Sequence, residues 1–167
     1  MYLLDTMVVA DLRRARSGGA EPGVDPGLVA WAAGVPRQDL FLSALSLLEL
    51  QDAAADTARR DRDAGTALAQ WIESHVLPAF EGRIVPIDAA VVRRSAALAY
   101  ADTRDALLVA CALQRGLTLV TRDVAAYKVG RPKLFSPWGY MPEEHGEDWR
   151  QAARGSSQWF KNLFVRA

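Results

Sequence analysis

The sequence predicts an α/β fold of three layers, with helices on both faces of a central, mostly parallel sheet of about five strands. Two observations carry that prediction. Short apolar runs alternate along the chain with stretches of helical periodicity, and parallel strands need such helical crossovers between them. The first run, Tyr2-Leu3-Leu4, then passes straight into Asp5 and a helix-like pattern, as expected of a strand buried on both faces of its sheet. Right-handed crossovers bring the carboxyl ends of all such strands to one edge. Ligands bind at that edge in open α/β sheets, which makes Asp5 a candidate functional group. A plain structural role, as N-cap of the following helix, is equally open to it.

The remaining elements follow in order. Residues 7–14 have the apolar content of a short helix, ended by Ser17-Gly18-Gly19, and residues 16–25 read as an exposed loop. Pro26 is placed for a helix start, with Leu28, Trp31 and Ala32 at helical spacing up to Gly34. Residues 39–44, centred on Leu40-Phe41-Leu42, form the second predicted strand. A helix is predicted over residues 46–58, with Glu49 one turn in, at the edge of an apolar face made by Leu47, Leu48 and Leu50. Ser46 and Glu49 also match the spacing of a capping box, so Glu49 has both a capping and a site role open to it. Asp52 and Asp56 read as a solvated stripe. Residues 59–63 are a charged turn or a continuation of that helix. Residues 67–80, with Trp71, Ile72 and Val76, form a second long helix ended by Pro78 or Gly82, and the pair predicts a helical hairpin inserted beside the sheet.

Residues 84–87 make a third short strand with Pro86 towards its end. Asp88 is the expected N-cap of a helix over residues 88–100. After a break at Ala101-Asp102-Thr103, residues 104–116 form a helix filled with small and large apolar residues and closed by a left-handed cap at Gly116. A fourth strand, residues 117–121, ends in Thr121-Arg122-Asp123 at the edge that holds Asp5. A short helix at 124–127 and a last strand at 133–135 complete the domain.

The length of 167 residues suits one domain with a tail, and the 50% hydrophobic and 24% charged composition is that of an ordinary globular protein. No run approaches the roughly 20 apolar residues of a membrane-spanning helix, and the N-terminus lacks the basic region of a secretion signal. The single cysteine, Cys111, excludes an internal disulfide and reads as a buried small hydrophobe. A cytoplasmic protein with no membrane partner is expected. The zero net charge hides an asymmetry: residues 1–80 carry −4 and residues 81–138 carry +4. The basic residues of the second part, Arg83, Arg93, Arg94, Arg104, Arg115, Arg122, Lys128, Arg131 and Lys133, are either solvated faces or an attraction for a polyanion.

Four acids converge by position. Asp5 and Asp123 follow strands, while Glu49 and Asp105 sit in the first turns of helices leaving the same edge. His75 and His145 fall elsewhere, and a donor set of carboxylates alone suits Mg²⁺ or Mn²⁺. Without a cation the four would repel one another and rise in pKa. Such an ion orients a water, lowers its pKa and neutralises charge on a phosphate under attack. Thr121 and Thr6 are the expected supporting hydroxyls, and Arg104, Arg122 and Lys128 the expected contacts to a nucleic-acid backbone. No G-x-G-x-x-G follows any strand, which leaves dinucleotide binding unsupported. A phosphatase of the haloacid dehalogenase type needs a second Asp where this chain has Met7.

Several stretches, in order, resemble the PIN-domain ribonucleases, and in particular the VapC-like toxins of toxin–antitoxin modules. They are Tyr2-Leu-Leu-Asp5-Thr, Leu42-Ser-Ala-Leu-Ser-Leu-Leu-Glu49-Leu, Gly82-Arg-Ile-Val-Pro86, the block from Asp105 through Gly116 to Thr121-Arg122-Asp123, and Pro137-Trp138. The resemblance implies a PIN-like nuclease domain over residues 1–138 and catalytic, metal-binding roles for Asp5, Glu49, Asp105 and Asp123. Asp102 competes for the third position, but the spacing to the Ala-rich helix and Gly116 favours Asp105. It further implies Mg²⁺- or Mn²⁺-dependent cleavage of single-stranded or looped RNA by a homodimer held inactive by a cognate antitoxin. Where the family usually has Asn two residues after the first Asp, this chain has Met7, which implies lower metal affinity or rate; a non-catalytic PIN-fold regulator is the alternative. Residues 139–167 lie beyond the resemblance, and Trp159, Phe160, Leu163 and Phe164 are spaced for an amphipathic helix in a partly helical tail.

Overall fold

A computed structural model of the chain describes residues 1–15 and 24–141. The expected tail helix, His145 and most of the loop at 16–25 lie outside the described residues. Strands β1 (Tyr2–Leu4), β2 (Leu40–Ser43), β3 (Ile84–Val85), β4 (Thr118–Val120) and β5 (Lys133–Phe135) form one sheet in the order β3-β2-β1-β4-β5. Every neighbouring pair is parallel, so the sheet is wholly rather than mostly parallel. Because the chain builds outwards from β1 through β2 to β3 and then returns to the other side of β1, the winding reverses between β1 and β4. That switch point is the place where open α/β sheets leave a crevice for ligands.

Alternation along the strands divides the core in two. Leu4, Leu40, Leu42 and Val120 face α1 (Thr6–Arg14), α2 (Pro26–Gly34), α3 (Ala44–Arg60) and α4 (Arg62–Trp71) across one core. Leu3, Val85 and Leu119 face α6 (Ala89–Ala96) and α7 (Thr103–Arg115) across the other. This is the predicted three-layer arrangement. Cys111 is fully buried in the second layer, and burial pushes its thiol up to about 11.

The helical hairpin is present, with different internal boundaries. Helix α3 begins earlier than expected because Ser43, at the end of β2, is its N-cap: the Ser43 hydroxyl accepts from the Ser46 amide at 2.8 Å. Ser46 therefore lies inside the helix, the Ser46–Glu49 capping box does not form, and Glu49 falls in the second turn rather than the first. The charged stretch is a true break: Asp61 is extended and accepts from the amides of Asp63 and Ala64, starting α4 at Arg62. Gly65 lets α4 approach α3, since a Cβ there would lie 2.4 Å from Ala58 Cα. The expected single helix over 67–80 instead passes through a π-helical turn, Ile72–Val76, into α5 (Leu77–Ala79). Pro78 has no amide hydrogen and its ring crowds the carbonyl four residues back, which a wider turn accommodates.

Asp88 caps α6 as expected, but the helix ends at Ala96. Gly116 ends α7 at φ 64°. Residues 124–127 are a turn and not a helix, because Asp123 takes the amides of Ala125 and Ala126 and the chain must then reverse into β5.

Candidate active site

Register places the first acid. Leu4 pairs with Val120, so Asp5 and Thr121, one residue further along each strand, stand side by side at the switch point. The Asp5 amide donates to Val120 O at 3.0 Å, and the Thr121 amide donates to Phe135 O at 3.1 Å, so both backbones are fixed by the sheet. The Thr121 hydroxyl donates to Asp5 Oδ2 at 2.8 Å, with Asp5 7% and Thr121 1% exposed. Asp5 occupies the N-cap position of α1 without making a side-chain cap bond. It thus holds the cap position open to it from sequence, with its carboxylate bonded to Thr121 rather than closing a side-chain cap.

Burial raises the Asp5 pKa, and the charge of Glu49 raises it further. Thr121, helped by the nearby amides of Thr6 and Met7, pulls the other way without offsetting the burial. Among the described residues no Lys or Arg forms an ion pair with Asp5. A desolvated carboxylate so held is short of positive charge.

Glu49 reaches the same place from α3. Thr6, the residue after Asp5, donates its hydroxyl to Glu49 Oε2. Arg104 Nη1 lies 3.4 Å from Glu49 Oε1, and Arg104 Nη2 lies 3.4 Å from Asp52 Oδ2. Asp56 pairs outside the site with Arg59.

The start of α7 separates the two candidates for the third acid. Asp102 is the N-cap, accepting from the Arg104 amide at 2.7 Å, while Asp105 lies in the first turn, half-buried. Asp105 shares its surroundings with Tyr127, to which sequence reasoning gave no role. Burial drives the Tyr127 phenol well above its ordinary pKa; the charges of Asp5 and Asp105, a hydrogen bond to Asp105 and the charge of Glu49 add to this. Tyr127 is thus a neutral donor within the field of three acids. An aromatic residue four positions after Asp123, at the end of the small apolar stretch Val124-Ala125-Ala126, was the only signal of it in the sequence.

Asp123 stands apart. Its Oδ1 accepts from the amides of Ala125 and Ala126 at 3.0 and 3.2 Å, capping the turn that carries Tyr127. Of the basic candidates, Arg122 lies over the Trp138 ring at 6.0 Å and Lys128 is exposed. Arg83 and Arg115 are engaged elsewhere, Arg83 with the carbonyls of Arg37, Leu40 and Ala79, and Arg115 with Asp88.

The donors at this edge are oxygens throughout, and the least solvated of them lacks a counter-charge, a combination that fits a hard divalent cation. Asp5, Glu49 and Asp105 are gathered around Tyr127 rather than already arranged as ligands. Among the described residues, no three His, Cys, Asp or Glu side chains are spaced to hold a metal ion.

Fold and site together define a parallel α/β protein whose candidate chemistry is carried by carboxylates at the switch point of its sheet. The chain belongs to the PIN domain family, which matches residues 2–132. It is similar to Toxin FitB of Neisseria gonorrhoeae, 31% identical over 146 residues that span 83% of this chain and 99% of that protein. It is likewise similar to a VapC ribonuclease of Sinorhizobium fredii, 32% identical over 147 residues, 83% of this chain and 98% of the relative. The crystal structure of FitAcB from Neisseria gonorrhoeae superimposes with a TM-score of 0.72 at 29% identity, covering 83% of this chain and 99% of that one. The structure of FitAB bound to the IR36 DNA fragment does so with a TM-score of 0.71 at 27% identity, covering 87% and 100%. No helix among the described residues is long and apolar enough to cross a membrane.

Proposed function

We propose that this chain is a cytoplasmic, Mg²⁺- or Mn²⁺-dependent endoribonuclease acting as the toxin of a toxin–antitoxin pair, with residues 1–138 as its nuclease domain. The observation that carries the reading is Asp5: a buried carboxylate at the sheet's switch point, anchored by Thr121, close to Glu49 and without a cationic partner among the described residues. Relatives named as a toxin and as a VapC ribonuclease, and solved relatives titled FitAcB and FitAB, support the substrate class and the antitoxin partner.

Asp5, Glu49 and Asp105 are the residues that would hold the cation, with Asp123 the fourth by family resemblance. When bound, a divalent ion supplies Lewis acidity and lowers the pKa of a water. The chain's own residues prepare the site. Thr121 fixes one oxygen of Asp5, and Thr6 fixes one of Glu49. Tyr127 orients Asp105 as a donor that stays protonated. Arg104, Arg122 and Lys128 supply positive charge for RNA phosphates, and as a homodimer the protein would present two such edges.

Replacing Asp5 or Asp105 with Asn abolishes Mn²⁺-dependent cleavage of RNA while the far-ultraviolet spectrum is retained. Full activity in both variants overturns the reading. Met7, which is 48% exposed beside Asp5, favours one other reading, a PIN-fold binding protein without catalysis. Metal-dependent cleavage by the unaltered chain rules that reading out.

A further inference from the structure

We propose that Arg104 is a positioning residue that holds Glu49 while no substrate is bound and exchanges it for an RNA phosphate, so that substrate binding releases a metal-binding carboxylate. The inference rests on the ribonuclease reading above and adds a coupling between its two ligands.

Helix position makes Arg104 unusual. It lies in the first turn of α7, next to Asp105, where a cation opposes the positive end of the helix dipole. Helix stability therefore does not account for an arginine there. Its guanidinium instead spans to α3, lying 3.4 Å from Glu49 Oε1 and 3.4 Å from Asp52 Oδ2. The other oxygen of Glu49 is taken by Thr6. Glu49 thus has a partner at each oxygen, and at Oε1 the Arg104 charge competes with an ion.

The Arg104–Glu49 pairing is built to be exchanged. Both distances lie at the long end for charged hydrogen bonds, and the Arg104 side chain is 53% exposed. An exposed ion pair of this kind contributes little, whereas the planar fork of Arg matches phosphate as well as carboxylate. A phosphodiester arriving at the sheet edge offers the same fork a competing anion. Asp52, 54% exposed and outside the family's acid set, then serves to keep the guanidinium in place before substrate arrives.

The test uses the full chain and three proteins: unaltered, Arg104→Gln and Arg104→Lys. Calorimetry with MnCl₂ in the absence of RNA reads the first half of the exchange. Arg104→Gln is expected to bind Mn²⁺ about two- to five-fold more tightly than the unaltered chain, the scale of one exposed ion pair removed. Fluorescence anisotropy with a 2′-O-methylated single-stranded RNA oligonucleotide, in EDTA, reads the second half. Arg104→Gln binds it more weakly, and the slope of log affinity against log salt falls by about 0.7, as expected when the protein neutralises one phosphate fewer on a single strand. Arg104→Lys, which keeps the charge, restores that slope.

Opposite signs for metal and RNA are required, and the exchange itself is read by repeating the Mn²⁺ titration with the oligonucleotide bound: RNA tightens Mn²⁺ binding in the unaltered chain by more than it does in Arg104→Gln, which a fixed charge at Arg104 does not produce. Unchanged or weaker Mn²⁺ binding by Arg104→Gln, with the unaltered chain binding normally, overturns the exchange and leaves the ribonuclease reading intact. Absence of both Mn²⁺ and RNA binding in the unaltered chain overturns the two together.

Discussion

Replacing Thr121 with Val tests how Asp5 is held. The substitution keeps the branched shape of a side chain that is 1% exposed and removes only the hydroxyl that donates to Asp5 Oδ2 at 2.8 Å. A hydrogen bond to a charged group contributes about 1.5–3 kcal/mol, and a neutral one about 0.5–1.5 kcal/mol. The bond is worth more to an ionised Asp5 than to a protonated one, so the loss shrinks as acid protonates the carboxyl. The sign follows from linkage: burial raises the folded-state pKa of Asp5 above its ordinary 3.8, so the folded chain binds the proton more tightly. Asp5 therefore destabilises the metal-free protein at neutral pH, and that penalty fades as pH falls through the folded value towards 3.8. Thr121→Val removes the main opposing influence and moves the change to higher pH. Urea unfolding in EDTA is the assay, and a loss of about 2 kcal/mol lowers the midpoint by about 1 M. A loss below about 0.5 kcal/mol at neutral pH, or the same loss once acid has protonated the carboxyl, refutes the assignment of Thr121 to a charged Asp5.

Three further outcomes follow from the fold. Gly65→Ala drives a methyl into Ala58 across the hairpin and costs about 1–3 kcal/mol, measured by thermal or urea unfolding. Asp25 is held below its ordinary pKa by the Gly139 amide above all, then by those of Leu28 and Gly27 and by Arg122. Its contribution is present above 3.8 and lost as pH falls through the depressed folded value, so Asp25→Asn flattens that part of the stability profile in acid unfolding. Cys111, fully buried with its thiol pushed up to about 11, resists a thiol reagent in native protein at mildly alkaline pH and reacts once urea unfolds the chain.

The sheet was legible in the sequence because its strands are short apolar runs ended by polar or turn residues, and burial on both faces leaves few other readings. Asp88 and Gly116 stood out for local reasons, a cap before an apolar helix and a left-handed stop after one. The start of α3 did not, since Ser43 and Ser46 both fit cap positions and only the end of β2 decides between them. The π-turn depends on how Pro78 is accommodated, which no periodicity encodes. For the site, the approach of Asp5, Glu49 and Asp105 to one edge followed from topology, but their partners did not. Thr6 with Glu49, Thr121 with Asp5 and Tyr127 with Asp105 are pairings set by register and by turns, the first two between residues far apart in sequence. Asp123 shows the converse: a residue matched by motif whose local hydrogen bonds serve the turn beside it.

The most direct test of the site is Mn²⁺ titration of the full chain against its Asp5→Asn variant, in which the new amide oxygen still accepts from Thr121. The unaltered chain is expected to bind the ion, and Asp5→Asn to lose that binding while remaining folded. Equal binding by both would remove Asp5 from the metal site and contradict the account.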